Sequence, residues 1–280
     1  MVVVVTGGSG QLGQSLQHIA SQFSDAKFYF TDFQEVNIAD KESIRAFFDE
    51  VKPDFCINAA AYTAVDKAET EEDKAHEINV TGARNLAEVC KEFDTTLIHV
   101  STDFVFDGNK NTPYTEEDKA NPQSVYGKTK REGEEAIEAA LEKHYIIRTA
   151  WLYSQFANNF MKTMLRLAGE RSSLGVVSDQ IGTPTHAVDL ATAIMQIITS
   201  GKNAYGIYHF SNEGVASWYD FAKKIFEINN VNIELNPIPT TAYPTPAVRP
   251  AYSVLDKSKI KKEFGIEIKE WQESLQPYTN

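Results

Sequence analysis

A tyrosine and a lysine stand four residues apart in Ser124-Val125-Tyr126-Gly127-Lys128-Thr129-Lys130. The segment that follows, Arg131 to Lys143, is rich in Glu, Ala and Lys and reads as a helix. Residues i and i+4 share a helix face, so the phenol and the ammonium can point into one pocket. A free phenol ionises near pH ~10, too high for acid–base work close to neutrality. A fixed positive charge beside it favours the phenolate and draws that value down. The pair is a candidate proton-transfer unit. Alone the spacing carries little weight, because any solvated helix face can show it.

Elements upstream give the pair its context. Val2 to Thr6 is a short β-branched run suited to a strand buried on both faces. It runs into Thr6-Gly7-Gly8-Ser9-Gly10-Gln11-Leu12-Gly13, after which Gln14 to Phe23 has helical spacing. A strand, a glycine turn and a helix in that order form a nucleotide-binding signature, the helix N-terminus facing a pyrophosphate. Two registers fit: Gly8, Gly10 and Gly13 give G-x-G-x-x-G, and Gly7, Gly10 and Gly13 give G-x-x-G-x-x-G. A second strand, Lys27 to Thr31, ends at Asp32, nineteen residues past Gly13. An acid there accepts both adenosine ribose hydroxyls and repels a 2′-phosphate.

Lys41 to Val51 is the next helix, and Phe55 to Asn58 the next strand. That strand ends in Asn58-Ala59-Ala60-Ala61, whose small side chains let a flat ligand lie at the sheet edge, although tight packing asks for the same residues. Thr70 to Phe93 holds a long helix with Ile78, Leu86 and Val89 inward. A fourth strand, Thr96 to Val100, delivers Ser101-Thr102-Asp103 at its end, and alternation puts Ser101 and Thr102 on opposite faces. The rhythm predicts an α/β fold, a doubly wound parallel sheet of Rossmann type. Ligands in such sheets sit outside the carboxyl ends of the strands. Gly7, Asp32, Asn58 and Thr102 then emerge on one edge, followed by Tyr126.

Past Ala150 the rhythm loosens. His144 to Arg148 predicts a strand, and Asn159 to Gly169 a helix with Phe160, Met164, Leu165 and Ala168 on one face. Val176 and Val177 end a strand, His186 to Thr199 is an apolar helix, and Gly206 to Phe210 a late strand. The remainder, with Pro237, Pro239, Pro244, Pro246 and Pro250, reads as loop-rich, closing in short helices around Lys257 to Phe264 and Trp271 to Leu275.

Composition bounds the function. The chain has 280 residues, 42% of them hydrophobic and 24% charged, with a formal net charge of −12 and no basic block. That balance suits a soluble globular protein and argues against nucleic-acid or anionic-membrane binding. The apolar runs are too short to span a bilayer, and Met1 leads into Val2 with no signal peptide legible. Cys56 and Cys90 fall in a predicted strand and a predicted helix and read as buried thiols, which places the chain in a reducing cytoplasm. The six histidines are scattered, which argues against zinc.

Thr6 to Gly13, Asn58-Ala59-Ala60, the Ser101-Thr102 pair and Tyr126-x-x-x-Lys130 together resemble the extended short-chain dehydrogenase/reductase superfamily. Longer strings narrow the likeness: Asn58 to Glu69, Ser101 to Gly108, Val125 to Lys130 and Arg148 to Tyr153. With Asn158 to Phe160, Lys162 to Ala168, Asp179 to Pro184 and Pro239 to Pro250, they resemble the dTDP-4-dehydrorhamnose reductases over nearly the whole chain.

The resemblance implies reduction of the 4-keto group of a dTDP-sugar by NADPH or NADH. It makes Thr102, Tyr126 and Lys130 the catalytic residues: Tyr126 gives a proton to the carbonyl oxygen, Thr102 hydrogen-bonds that oxygen, and Lys130 holds the ribose and lowers the phenol's pKa. Tyr126 and Lys130 also count as cofactor contacts, with Gly7, Gly10, Gln11, Leu12, Gly13, Asp32, Asn37, Ile38, Ala59, Ala60, Ala61 and Thr63. Thr102, Asp103, Phe104, Trp151, Asn158, Asn159 and Arg249 are the substrate contacts. For the last four the plain alternatives are a core tryptophan, helix-capping asparagines and a solvated arginine. The resemblance further implies a dinucleotide-binding domain of residues 1–150 and 186–210. A smaller, loop-rich α+β substrate domain takes 151–185 and 211–280. A monomer or homodimer is expected. Some members pair through a metal held partly by an acid on the first helix; Ser15 stands where that acid is sought, so no metal is expected.

Four other readings compete. A 4,6-dehydratase follows its active-site threonine with Asp-Glu, whereas Thr102-Asp103 is followed here by Phe104. A sugar 4-epimerase shares the Thr, Tyr and Lys set and stays open, as does another sugar-nucleotide 4-ketoreductase. A non-catalytic subunit like the methionine adenosyltransferase β subunit is disfavoured by the intact Tyr126 and Lys130.

Overall fold

The computed structural model describes residues 1–277. Five strands form where the sequence places them: β1 (Val2–Thr6), β2 (Lys27–Thr31), β3 (Phe55–Asn58), β4 (Thr96–Thr102) and β5 (His144–Thr149). With Gly206–His209 they make a six-stranded parallel sheet in the order Gly206–His209, β5, β4, β3, β1, β2. The winding direction reverses between β1 and β3, the switch point at which open α/β sheets bind ligands. Thr6 pairs with Thr31 on one side and Asn58 on the other, and Asn58 pairs with His99. β4 runs two residues further than its composition suggested, because Ser101 and Thr102 still pair with Arg148 and Thr149 of β5.

β1 shows why the sheet is covered on both faces. Val3 and Val5 enter one apolar cluster with Leu16, Leu190 and Ile194, while Val4 enters the other with Phe48, Leu86 and Ile137. The first layer is built by the helices Gln11–Ile19 and Ala187–Thr199, the second by Lys41–Val51, Gly82–Glu92 and Val125–Ala140. Ile260 of the Ser258–Phe264 helix also packs in the first layer, although the sequence reading put that stretch with the smaller unit. A third cluster, around Tyr153, Met161, Met164, Phe221 and Ile225, is separate from both.

Local corrections have local causes. The Val125–Ala140 helix starts six residues earlier than read, because the Ser124 hydroxyl caps it by accepting from the Gly127 N–H at 3.2 Å. Gly127 is required there: a Cβ would stand 2.2 Å from the Phe104 carbonyl oxygen, so only glycine lets the helix approach the end of β4. The helix read over Thr70 to Phe93 is interrupted by a π turn at Glu77–Thr81. The stretch read as loop after Phe210 contains the helix Trp218–Ile228, started by a reciprocal capping box between Ser217 and Asp220. It also contains the strand Glu234–Ile238, which pairs in parallel with Ser173–Val177. Pro237 disguised that strand; in a two-stranded sheet every strand is an edge and tolerates proline. No described helix is long and apolar enough to cross a membrane.

Candidate active site

A cavity of about 980 Å³ lies along the carboxyl edge of the sheet. Its floor begins at the turn after β1. Gly7 has φ +72°, and a Cβ there would lie 2.8 Å from the Ala60 nitrogen, so the turn and the small residues after β3 require one another. This selects Gly7, Gly10 and Gly13 over the register starting at Gly8. Gly13 does not line the cavity; a Cβ would lie 2.3 Å from the Gly7 oxygen, so its role is to seat the helix against the turn. No side chain caps the Gln11–Ile19 helix, and Gly10, Gln11 and Leu12 open onto the cavity. Uncapped amides at a helix start suit a pyrophosphate. The Ser9 N–H donates to the Asp32 carboxylate at 3.0 and 3.3 Å, drawing the end of β2 to the turn. Asn37, Ile38, Ala59, Ala60, Ala61 and Thr63 line the same wall. The open cradle at Gly7 and this donor set fit a dinucleotide. Ser15, by contrast, is fully buried and donates to the Gln11 carbonyl at 2.8 Å.

The proton-transfer candidates meet further along. Thr102, at the end of β4, donates to Asp103 Oδ1 at 3.1 Å and accepts from the Phe104 N–H at 3.2 Å. The Phe104 and Tyr126 rings meet edge to face, 5.5 Å between centroids. Burial pushes the Tyr126 phenol up to about 12; its hydrogen bond with Thr102 pulls the other way, and the nearby Asp103 adds to the rise. The expectation that Lys130 lowers this phenol is not met, because the Lys130 Nζ is tied into β4: it donates to the Val100 carbonyl at 2.8 Å and lies 3.0 Å from His99 Nε2. Burial pulls Lys130 down to about 8, with Glu134 opposing. Tyr126 is therefore a protonated acid, the form a carbonyl reduction needs. Ser101 turns to the other face, toward Glu134. Asp103 is 2% exposed and pushed up to about 6 by burial.

On the far side Trp151, Asn158 and Arg249 all line the cavity. Trp151 holds a left-handed backbone (φ 47°) and stacks on Trp218, 3.6 Å between ring centroids and 10° between planes. Trp218 also lines the cavity and was missed; the sequence signal was the capping box that starts its helix. Asn159 lies elsewhere. It caps the Phe160–Glu170 helix, accepting from the Lys162 N–H at 3.2 Å and donating to Ser154 and Phe156 carbonyls at 2.7 and 3.2 Å. Of the two readings for that asparagine, the cap describes its contacts. Arg249 is not a free cation: it grips Asp66 with two nitrogens at 3.0 and 2.9 Å, holding that carboxyl below its usual range.

The family model described as RmlD substrate binding domain matches residues 1–280. The dTDP-4-dehydrorhamnose reductase of Aggregatibacter actinomycetemcomitans is 45% identical, over 98% of this chain and 96% of that one. Among solved structures, a dTDP-4-dehydrorhamnose reductase from Clostridium acetobutylicum superposes with a TM-score of 0.95 at 43% identity, covering 99% of this chain and 98% of that one. A dTDP-4-dehydrorhamnose reductase from Bacillus anthracis in complex with NADP gives 0.94 at 37% identity, over 98% and 96%. Sequence and fold agree from end to end, and the chain belongs to the RmlD substrate binding domain family, the family of these dTDP-4-dehydrorhamnose reductases.

Proposed function

We propose that this protein reduces the 4-keto group of dTDP-4-dehydro-L-rhamnose to give dTDP-L-rhamnose, with NADPH or NADH as reductant. The observation that carries the reading is that one cavity joins the glycine cradle to Thr102, Tyr126 and Lys130. A bound nicotinamide supplies hydride to the sugar's carbonyl carbon. Tyr126 gives its phenolic proton to the carbonyl oxygen, and Thr102 orients that oxygen through its hydroxyl. Lys130 acts on the cofactor ribose. Gly7, Gly10, Gln11, Leu12, Asp32, Asn37, Ile38, Ala59, Ala60, Ala61 and Thr63 hold the dinucleotide, and Asp103, Phe104, Trp151, Asn158 and Arg249 the sugar nucleotide. Residues 1–150 and 186–210 serve the cofactor, and 151–185 with 211–280 the substrate. Free, buried Cys56 and Cys90 suit a reducing cytoplasm. Oxidation of NADH or NADPH that depends on a dTDP-4-keto-6-deoxy sugar tests the reading; no dependence on the sugar refutes it.

Cofactor choice follows from Asp32. Its carboxylate suits ribose hydroxyls and repels a 2′-phosphate, so NADH should be used at least as well as NADPH. The Bacillus anthracis relative holds NADP, so both should turn over. Paired kcat/KM values decide, and a strong preference for NADPH contradicts the role given to Asp32.

A chain at −12 offers no general attraction to a diphosphate, so a local cation must supply it. Arg249 is that cation, and a substrate phosphate has to share it with Asp66 or displace it. Arg249→Ala should raise the KM for the sugar nucleotide by about 10- to 150-fold, the range of a charge-assisted hydrogen bond of ~1.5–3 kcal/mol. The cofactor KM should barely move. Unchanged substrate kinetics would remove Arg249 from the site.

A further inference from the structure

His99 has no part in the chemistry above, yet it is 1% exposed and both ring nitrogens have partners. Nδ1 lies 2.9 Å from Asn58 Nδ2, and Nε2 lies 3.0 Å from Lys130 Nζ. The protons follow from the outside inward. The Ala60 N–H can only donate, and it reaches Asn58 Oδ1 at 3.2 Å; the Thr6 hydroxyl donates to the same oxygen at 2.8 Å. Asn58 therefore turns its NH2 group, which can only donate, toward His99. Nδ1 must accept, which excludes the doubly protonated ring and puts the single proton of the neutral imidazole on Nε2. That N–H points at Lys130 Nζ. An ammonium has no lone pair to receive it, whereas a neutral amine has one and can still donate to the Val100 carbonyl at 2.8 Å.

We infer that His99 is a positioning residue for Lys130, donating through Nε2 so that the lysine rests as a neutral amine until negative charge arrives beside it. The surroundings agree. Burial disfavours the charged form of both groups. A hydrogen bond that only the neutral amine can accept lowers Lys130 beyond what burial does. Glu134, one turn along the helix, is already gripped by Arg148 at 2.9 and 2.7 Å and by Arg131 at 2.8 Å. His144 of β5, two residues before the Ile146 that pairs with His99, disfavours charge there, and Tyr126 is one turn back. The charged groups on the cavity wall are Asp32, Lys74, Glu77, Asp103 and Arg249. A buried ammonium without an anion is costly, so a lysine kept neutral takes up its proton when an anionic ligand or an ionised phenol appears. What the array does in catalysis rests on the reductase reading; the proton assignment does not.

Protein carrying lysine labelled with 15N at Nζ, free of cofactor, reads the assignment directly, the Lys130 signal being the one missing from Lys130→Arg. The neutral-amine shift is expected at pH 7.5. Asn58→Asp reverses the polarity, since a carboxylate accepts from an Nδ1–H and leaves Nε2 to accept from an ammonium. The proton affinity of Lys130 should then rise at least tenfold, and the His99 proton should move from Nε2 to Nδ1 in imidazole 15N spectra, a tautomer change that the new charge acting through space alone would not produce. An ammonium signal in the parent at pH 7.5, or equal midpoints in parent and variant, overturns the inference. If Asn58→Asp fails to fold, the parent titration still decides. Calorimetric titration with NADH in buffers of different ionisation heat should show uptake of about one proton per molecule bound. Binding without uptake overturns the storage role, whereas absence of binding counts against the reductase reading instead.

Discussion

Replacing Tyr126 by Phe should lower turnover by about 10² or more and leave cofactor affinity nearly unchanged, since general acid catalysis is worth roughly 10²–10⁴. The substitution keeps the ring that packs edge to face on Phe104 at 5.5 Å and removes only the hydroxyl that exchanges a hydrogen bond with Thr102. Because burial holds that phenol up to about 12, the donor stays protonated as pH rises through the neutral and mildly alkaline range. The pH profile of the parent should therefore show no alkaline loss of rate from Tyr126 below pH ~11. Single-turnover rates with cofactor affinities by fluorescence check both points. Turnover within a few-fold of the parent would show that Tyr126 is not the proton donor.

Arg148→Met should destabilise the fold by about 3–5 kcal/mol, the scale for breaking a buried ion pair, with Arg131, which also donates to Glu134 at 2.8 Å, holding the loss toward the lower end. Arg148 is 2% exposed and Glu134 0%, and they meet through two bonds at 2.9 and 2.7 Å. Burial would push the Glu134 carboxyl up, but Arg148, with Ser101 and Arg131, holds the group below its usual range. The pair pins the Val125–Ala140 helix, with Tyr126 and Lys130 on it, to β5. Replacing both partners, Glu134→Leu with Arg148→Met, should recover most of the loss, because no buried charge then lacks a partner. Denaturant unfolding of the parent, the single variants and the double variant measures this. A single variant within about 1 kcal/mol of the parent contradicts it.

The sheet was legible because each strand is a short β-branched or apolar run, and its edge chemistry because the motifs fall at strand ends. What escaped was set by partners distant in sequence. The two extra residues of β4 exist only by pairing with β5, and the glycine register is decided by how closely Ala60 approaches Gly7. The i,i+4 spacing placed Tyr126 and Lys130 on one face, and both do line one cavity. It could not show that Nζ is tied to His99 and Val100, nor that burial outweighs any neighbouring charge on the phenol. Asn158 and Asn159 looked equivalent in the string, yet one opens on the cavity and the other caps a helix. Trp218 lay in a stretch read as loop, and its place against Trp151 depends on a helix the proline-rich surroundings obscured.

The central claim is that hydride reaches C4 of a dTDP-sugar while this chain protonates the oxygen on that carbon. Incubation with dTDP-4-dehydro-L-rhamnose and NADPH or NADH deuterated at C4 of the transferring face tests it most directly. Mass and NMR spectra of the product should show dTDP-L-rhamnose with one deuterium at sugar C4 and one cofactor oxidised per product. A sugar product without deuterium, or a keto sugar returned unreduced with no cofactor oxidised, contradicts the account.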